Sequence, residues 1–324
     1  MFNLEQSTDV PTVSQAGMKF PYSTKVVVTT IESDSDFATH TGDALSFHNH
    51  IEGYDIQRFM GQVCTISFWI KSSVTGTYSV GFQNTGSDYS YPASYTVNAA
   101  NTWEKKTCTL TFADGSTGTW NYTNGAGSNV IFSLASGAGS MGTANQWATG
   151  SKPTATGHVN ILSSTDNVLY LTGVQLELGA VATPFEFRPY QQELALCQRY
   201  CQQLQPYFNT TSADGFFFAI KYLTNCIASQ GMTLSVPMRA APTLVNNDLT
   251  TWDADGTPAV GNVSFYDVVH AGWVTIVGAL TVAITRTSNT KFTLQCTAAT
   301  SFSGTDGDIG ALHLTSVAVL SAEL

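Results

Sequence analysis

Aromatic rings and histidines, rather than a nucleophile or a paired acid and base, are the side chains of this sequence with a possible chemistry. Tyr89, Tyr91 and Tyr95 are followed by Trp120, Tyr122 and Trp147 across a stretch rich in Gly, Ser, Thr and Asn. Flat apolar rings stack on sugar faces and their polar tips bond hydroxyls, so these six form the candidate glycan platform, with Asp88, Asn84 and Asn121 as polar contacts. The plain alternative is packing, in which the same rings cap a sandwich or fill contacts between subunits.

His48 and His50 flank Asn49, so a strand places both imidazoles on one side, and Asp43 lies nearby in sequence. Two ligands do not close a metal site, and a solvated or hydrogen-bonded strand face is the expectation. The acidic turn at 301–308 (SFSGTDGD) offers oxygens to calcium but lacks the spacing and terminal Glu of an EF-hand loop; it reads as a surface turn. No cofactor and no metal is expected.

Catalytic patterns are equally thin. The string GAGSMG at 137–142 satisfies a bare dinucleotide pattern, but it lies in a low-complexity stretch with no helix behind it. No Gly-x-Ser-x-Gly elbow follows a strand. Glu177 and Glu186 are a conceivable carboxylate pair, yet their positions fit structural ion pairs with Arg188 or Lys71 better. The expectation is a protein that is not an enzyme.

The elements that must position these residues are strands. Apolar residues alternate at 25–30, 63–70, 77–82 and 106–112. At 63–70, Cys64, Ile66, Phe68 and Ile70 share one face, which turns Trp69 toward a second layer or solvent. Residues 114–157 read as long loops around one strand at 129–134. Strands resume at 157–162 and at 168–178. A helix is predicted from Gln191 to Leu204, ended by Pro206, with Leu194, Cys197, Cys201 and Leu204 forming an oligomer seam at spacings of 3, 4 and 3. Docking of this helix on its own domain is the alternative. Further strands are predicted at 216–222, 232–236, 261–266, 273–277, 280–284, 291–296 and 311–320.

Composition agrees. With 11% charged and 43% hydrophobic residues in 324, the chain can bury one large core or two ordinary ones. A formal charge of −10 and the lack of a basic patch argue against nucleic acid. No apolar run is long enough for membrane insertion, and the N-terminus lacks a signal-peptide plan. Six cysteines without a CxxC pair read as ordinary thiols.

By TWEKKTCTL at 102–110 and LYLTGVQLELG at 169–179, the first half resembles a carbohydrate-binding-module-type jelly roll. Four ordered motifs, FWIKSSVTGTY at 68–78, YTVNAANTW at 95–103, GVQLELG at 173–179 and ATPFEFRP at 182–189 followed by ELALCQRY at 193–200, are similar to a family of phage structural and tail-fibre proteins. VPMRAAPT at 236–243 and LSAEL at 320–324 resemble the head domain that follows in such proteins. The resemblance implies an all-β chain: a jelly roll at 1–190, a linker helix at 191–206 and a β head at 207–324. It also implies a virion component made in the host cytoplasm, most often a homotrimer in a tail appendage, with host cell-surface polysaccharide as a possible partner. A capsid-decorating fibre or cement protein and a dedicated glycan-binding receptor module are the alternatives. Relatives carry upstream strands, whereas this chain opens at LEQSTDVP (4–11), so a sheet edge covered by another virion protein or subunit is expected.

Overall fold

The computed structural model describes residues 1–39, 42–204, 216–229, 231–246, 251–252, 262–267, 272–274, 276–277, 280–285, 287–303, 309–314 and 318–322. It divides into two compact units, Met1–Phe187 and Arg188–Leu324, both built mainly of antiparallel strands. The protein is all-β.

In the first unit the strands are β1 (Phe2–Ser7), β2 (Ser23–Val28), β3 (Ala44–Glu52), β4 (Val63–Ser72), β5 (Gly76–Asn84), β6 (Tyr89–Val97), β7 (Glu104–Thr111) and β8 (Ala126–Ser136). The short β9 (Met141–Gly142), β10 (Ala148–Thr149) and β11 (Thr154–Ala155) precede the long β12 (Val168–Leu178). Ten of them form two five-stranded sheets, β1-β2-β12-β4-β7 and β10-β6-β5-β8-β3, and β9 and β11 form a separate pair. Alternation explains their facing: Ile66, Phe68 and Ile70 of β4 are fully buried, and the Phe68 ring meets Phe132 of β8 at 5.3 Å and Tyr95 of β6 at 5.0 Å. Each such side chain contributes about 2 kcal/mol by leaving water. Cys64 and Cys108 lie in this core as free thiols, pushed up to about 12 and about 11 by burial.

The sequence leaves β6 unassigned, and it is in the middle strands that alternation stops being informative. In β5 every residue from Tyr78 to Asn84 is buried, and in β8 every residue from Val130 to Ser136. Tyr78, Val80 and Phe82 face the first sheet. Ser79, Gly81 and Gln83 face outward and are covered by residues 150–158, which run over the sheet as a strap.

Hydrogen bonds hold the strap down. Ser90 donates to the Gly150 carbonyl at 2.5 Å, Gln83 Nε2 to Ser151 Oγ at 2.8 Å, and the Ala155 N–H to Ser79 Oγ at 3.1 Å. Ser133 and Thr154 share a hydroxyl bond of 2.8 Å. β11 pairs in parallel with β9, which fixes the strap's course. Gly81 is required by this close approach, because a Cβ there would stand 2.3 Å from the Pro153 carbonyl oxygen.

Residues 157–162 are not the strand their pattern predicts. Gly157 is left-handed (φ 84°), and Ile161–Ser163 form a 3₁₀ turn capped by Asn160, whose side chain accepts from the Leu162 N–H. Ile161 and Leu162 are both fully buried, which neighbours on a pleated strand facing one core do not achieve.

The N-terminal residues themselves supply edge strand β1. Its register places Leu4 beside the fully buried Val26 of β2, yet Leu4 is 50% exposed, so β1 overhangs the end of the sandwich. An open recess of about 580 Å³ lies there, lined by Leu4, Gln6, Tyr22, Thr24, Leu171 and Val174 among others.

The predicted helix is shorter than its spacing implies. It spans Tyr190–Gln198, and Cys201–Leu204 form a strand paired with Ala318–Ser321. The seam therefore breaks: Leu194 and Cys197 are helical, whereas Cys201 and Leu204 are not. The strand's ladder satisfies the backbone, and Gln202, which a helical seam leaves out, is buried with Nε2 donating to the Val236 carbonyl at 2.7 Å. Residues 205–206, the end of the predicted linker, lie outside the described residues. In the rest of this unit a nine-stranded sheet surrounds Phe265, Leu294, Cys296 and Leu312. The stretch 311–320, read as one strand, is divided between Ile309–Leu314 and Ala318–Ser321, which belong to different sheets.

His158 sits where the strap leaves the sheet, 3.3 Å from Ser79 Oγ through Nδ1, with its buried Nε2 making no hydrogen bond. Burial lowers it from 6.5 to about 4, so the unfolded chain takes up this proton first on acidification. Its contribution is complete above about pH 6.5 and is lost as the pH falls toward 4, amounting to about 3 kcal/mol. Urea unfolding across this range is expected to show a loss of that order in the wild type and a clearly smaller one in His158→Gln; equal losses would refute the assignment.

Candidate binding site at the aromatic end of the first sandwich

β6 carries Tyr89, Tyr91 and Tyr95 at alternate positions, so all three face the first sheet. Tyr91 and Tyr95 are buried, the latter against Tyr78 and Phe68 in the middle of the core. Burial pushes both phenols above their ordinary range. Tyr95 is therefore a core residue and leaves the predicted platform.

The other rings do come together. Trp147, just before β10, stacks on Tyr89 with centroids 5.2 Å apart and contacts Tyr91 at 5.4 Å, Phe112 at 5.4 Å and Trp120 at 6.1 Å. Its Nε1 donates to the Thr111 carbonyl at 2.9 Å, and Trp120 Nε1 donates to the Thr117 carbonyl at 2.7 Å. Both indole donors are thus spent inside the chain, and both rings are half-buried. The cluster closes the end of the sandwich and presents only its rim to solvent. Phe112, the ring on which Trp120 and Trp147 meet, is absent from the sequence-derived set because its strand marked it simply as core.

The polar residues are also committed. Asp88 receives Asn84 Nδ2 at 2.5 Å, the Thr119 N–H at 3.0 Å and the Thr119 hydroxyl at 2.9 Å. These donors, Asn84 foremost, hold its carboxyl below the usual range and tie the loop before Trp120 to the β5–β6 turn. Asn121 accepts from the N–H and hydroxyl of Thr123, a local turn. Tyr122 is 37% exposed, the most exposed of the six rings, with its hydroxyl end lying over Gly115. The exposed Tyr54 joins it at this end, its N–H bonded to the Thr123 carbonyl at 3.0 Å.

The Glu177 carboxylate and the Glu186 backbone are both engaged within the chain. Glu177 accepts from the N–H of Thr183 at 2.8 Å and from its hydroxyl at 2.7 Å, and the Glu186 N–H donates to Gln175 Oε1 at 2.8 Å. Partial burial opposes ionisation of Glu177, and the Thr183 bonds outweigh it, lowering its value. The ion pairs expected with Arg188 and Lys71 are replaced by Arg188–Glu193 and Lys71–Asp9. These clasps fold residues 180–187 back onto the first sheet, where Phe185 and Phe187 meet Phe20 at 5.4 and 5.7 Å. Trp69 faces this second layer, as its place on β4 predicts. Gly173 (φ 60°) allows the layer to close, since a Cβ would lie 2.8 Å from the Phe20 ring.

Of the remaining candidates, residues 137–142 form a 3₁₀ turn running into β9, with no helix to receive a phosphate. Residues 304–308 of the acidic turn lie outside the described residues. Among the described residues no three His, Cys, Asp or Glu side chains converge on one point, and no helix is long and apolar enough to cross a membrane.

No family model matches the chain, and neither does any curated protein. Among solved structures, one described as "CBM4 structure and function" is similar, at 14% identity over 50% of this chain and 74% of its own, with a TM-score of 0.28. A likeness of that size carries no argument about the site.

Trp147 is consequently a packing residue. Trp147→Ala is expected to destabilise the first unit by about 3 kcal/mol in denaturant unfolding, a loss typical of a large ring removed from a core. Tyr122→Ala, on the exposed side of the same end, is expected to stay within about 0.5 kcal/mol of wild type.

Proposed function

We propose that this chain is a non-enzymatic structural subunit of a bacteriophage particle, a trimeric tail-fibre or fibre-tip protein. The observation that carries the reading is that the sandwich uses its own polar and aromatic side chains for closure. The outer face of β5, β6 and β8 is filled by the strap, the aromatic end is packed by Trp120 and Trp147, and Glu177 clasps Thr183. That distribution supports a building element over an enzyme or a deep ligand cleft. The ordered motifs are a second support for the reading: GVQLELG and ATPFEFRP, which resemble phage fibre sequence, are the segments that lock together through Gln175, Glu177 and Thr183. A capsid-decorating role would use the same architecture.

A second reading rests on the exposed rim. Tyr122 and Tyr54, beside the edges of Trp120 and Trp147, form a shallow aromatic surface suited to a flat sugar chain on the host cell. In this reading contact is made across the rim and not in a groove.

Light scattering on the purified full chain is expected to give three times the chain mass of 34.7 kDa, and a persistent monomer at micromolar concentration would overturn the trimer. Antibody labelling of particles is expected to mark the tail appendage; label on the capsid surface would move the protein to the decorating role. For the rim, Tyr122→Ala is expected to weaken adsorption to host cells while particle assembly stays normal, and unchanged adsorption would leave the scaffold reading alone.

A further inference from the structure

The strap leaves one part of the second sheet's outer face uncovered, the edge formed by β3. Register there is unambiguous: His50 lies beside Asn129 of β8, which lies beside Gln83 of β5, and His48 lies beside Ile131. His48 and His50 therefore stand next to each other on one face, with ring centroids 4.8 Å apart and planes at 70°. Two imidazoles sharing one ion at about 2.0–2.1 Å, with a ligand–metal–ligand angle between about 90° and 110°, have centroids about 4.5–5.2 Å apart. The observed spacing falls inside that window.

The second feature is the partner of His50. Its Nδ1 lies 2.5 Å from Asn129 Oδ1. An amide oxygen only accepts, so Nδ1 carries the proton and Nε2 keeps its lone pair free to coordinate. Metal-binding histidines are oriented this way, by a hydrogen bond from the far ring nitrogen. Asn129 is itself fixed in a central strand between β3 and β5, so the orienting group is rigid. His48 is exposed beside it, so the pair is open to an ion from solvent.

We propose that His48 and His50 form a two-histidine site for a borderline divalent transition metal such as zinc or nickel, oriented by Asn129 and leaving the remaining coordination positions open. Imidazole nitrogen selects these ions over magnesium and calcium, which take oxygen ligands. The site lies on an edge strand and stands independently of the fibre reading.

The test is calorimetric titration of the full-length chain with nickel chloride and with zinc chloride in a non-chelating buffer, with magnesium chloride as control. Nickel and zinc are expected to bind and magnesium not to. His48→Ala and His50→Ala are each expected to abolish this binding, Asn129→Ala to weaken it about tenfold, and Cys197→Ser to leave it intact. Metal-free melting temperatures of the His48 and Asn129 variants separate loss of the site from loss of the fold. Binding that survives both histidine substitutions, binding that disappears with Cys197→Ser, or no binding of nickel or zinc at all would overturn the proposal.

Discussion

Burial of β5 and β8 on both faces is the constraint from which the first unit follows. A sandwich sheet ordinarily shows one face to its partner and the other to water. Here the water-side face carries Ser79, Gly81, Gln83 and Ser133, residues too small and too polar to bury alone, because each hydroxyl or amide left without a partner costs free energy. The strap resolves this by bringing its own hydroxyls and backbone groups to the same face. The smallness of the sheet side chains is what allows a second layer of chain to lie so close, and Gly81 against Pro153 marks the closest point.

The same economy recurs on the opposite sheet. Residues 180–187 cover Trp69 and Phe20, held by Gln175, Glu177 and Thr183. Asp9 joins Lys71 and Trp103 on the outer surface of that sheet, with the Lys71 ammonium 4.5 Å over the Tyr170 ring. Polar residues that read as a possible site in the linear sequence turn out to be structural: Asp88 and Glu177 fasten segments distant in sequence or past a turn, and Asn121 holds its own loop turn. Among the described residues of the first unit, the chemistry left for partners lies at rims and edges: the exposed Tyr122, the histidine pair on β3, and the overhang of β1.

Strands whose apolar residues alternate were legible in the sequence because alternation is a direct record of facing. β4, β7 and β12 lie where residues 63–70, 106–112 and 168–178 place them. The middle strands were less so. β6, with its Tyr and Ser alternating, looks polar because its outer side is covered by chain that comes much later in sequence, a long-range fact no local window contains. For the site, the grouping of Tyr89, Tyr91, Trp120 and Trp147 was legible, but the choice between packing and binding was not, since aromatic clusters that pack and those that bind share one composition. At 201–204 a helical period lost to strand pairing with 318–321, a partner more than a hundred residues away.

The strap also sets an order of events. Its hydrogen bonds go to Ser79, Gln83 and Ser133, side chains that share a face only after β5 and β8 are paired, so the strap cannot dock on anything less than an assembled sheet. It is a late-closing segment in a unit whose pairings are mostly distant in sequence, the kind of topology that assembles slowly. Until it closes, the hydroxyl-rich face of the sheet is hydrated and residues 150–158 are an extended chain open to proteases. Resistance to cleavage at Gly150 and Ser151 would therefore report completed folding of the whole first unit, not merely the order of one loop.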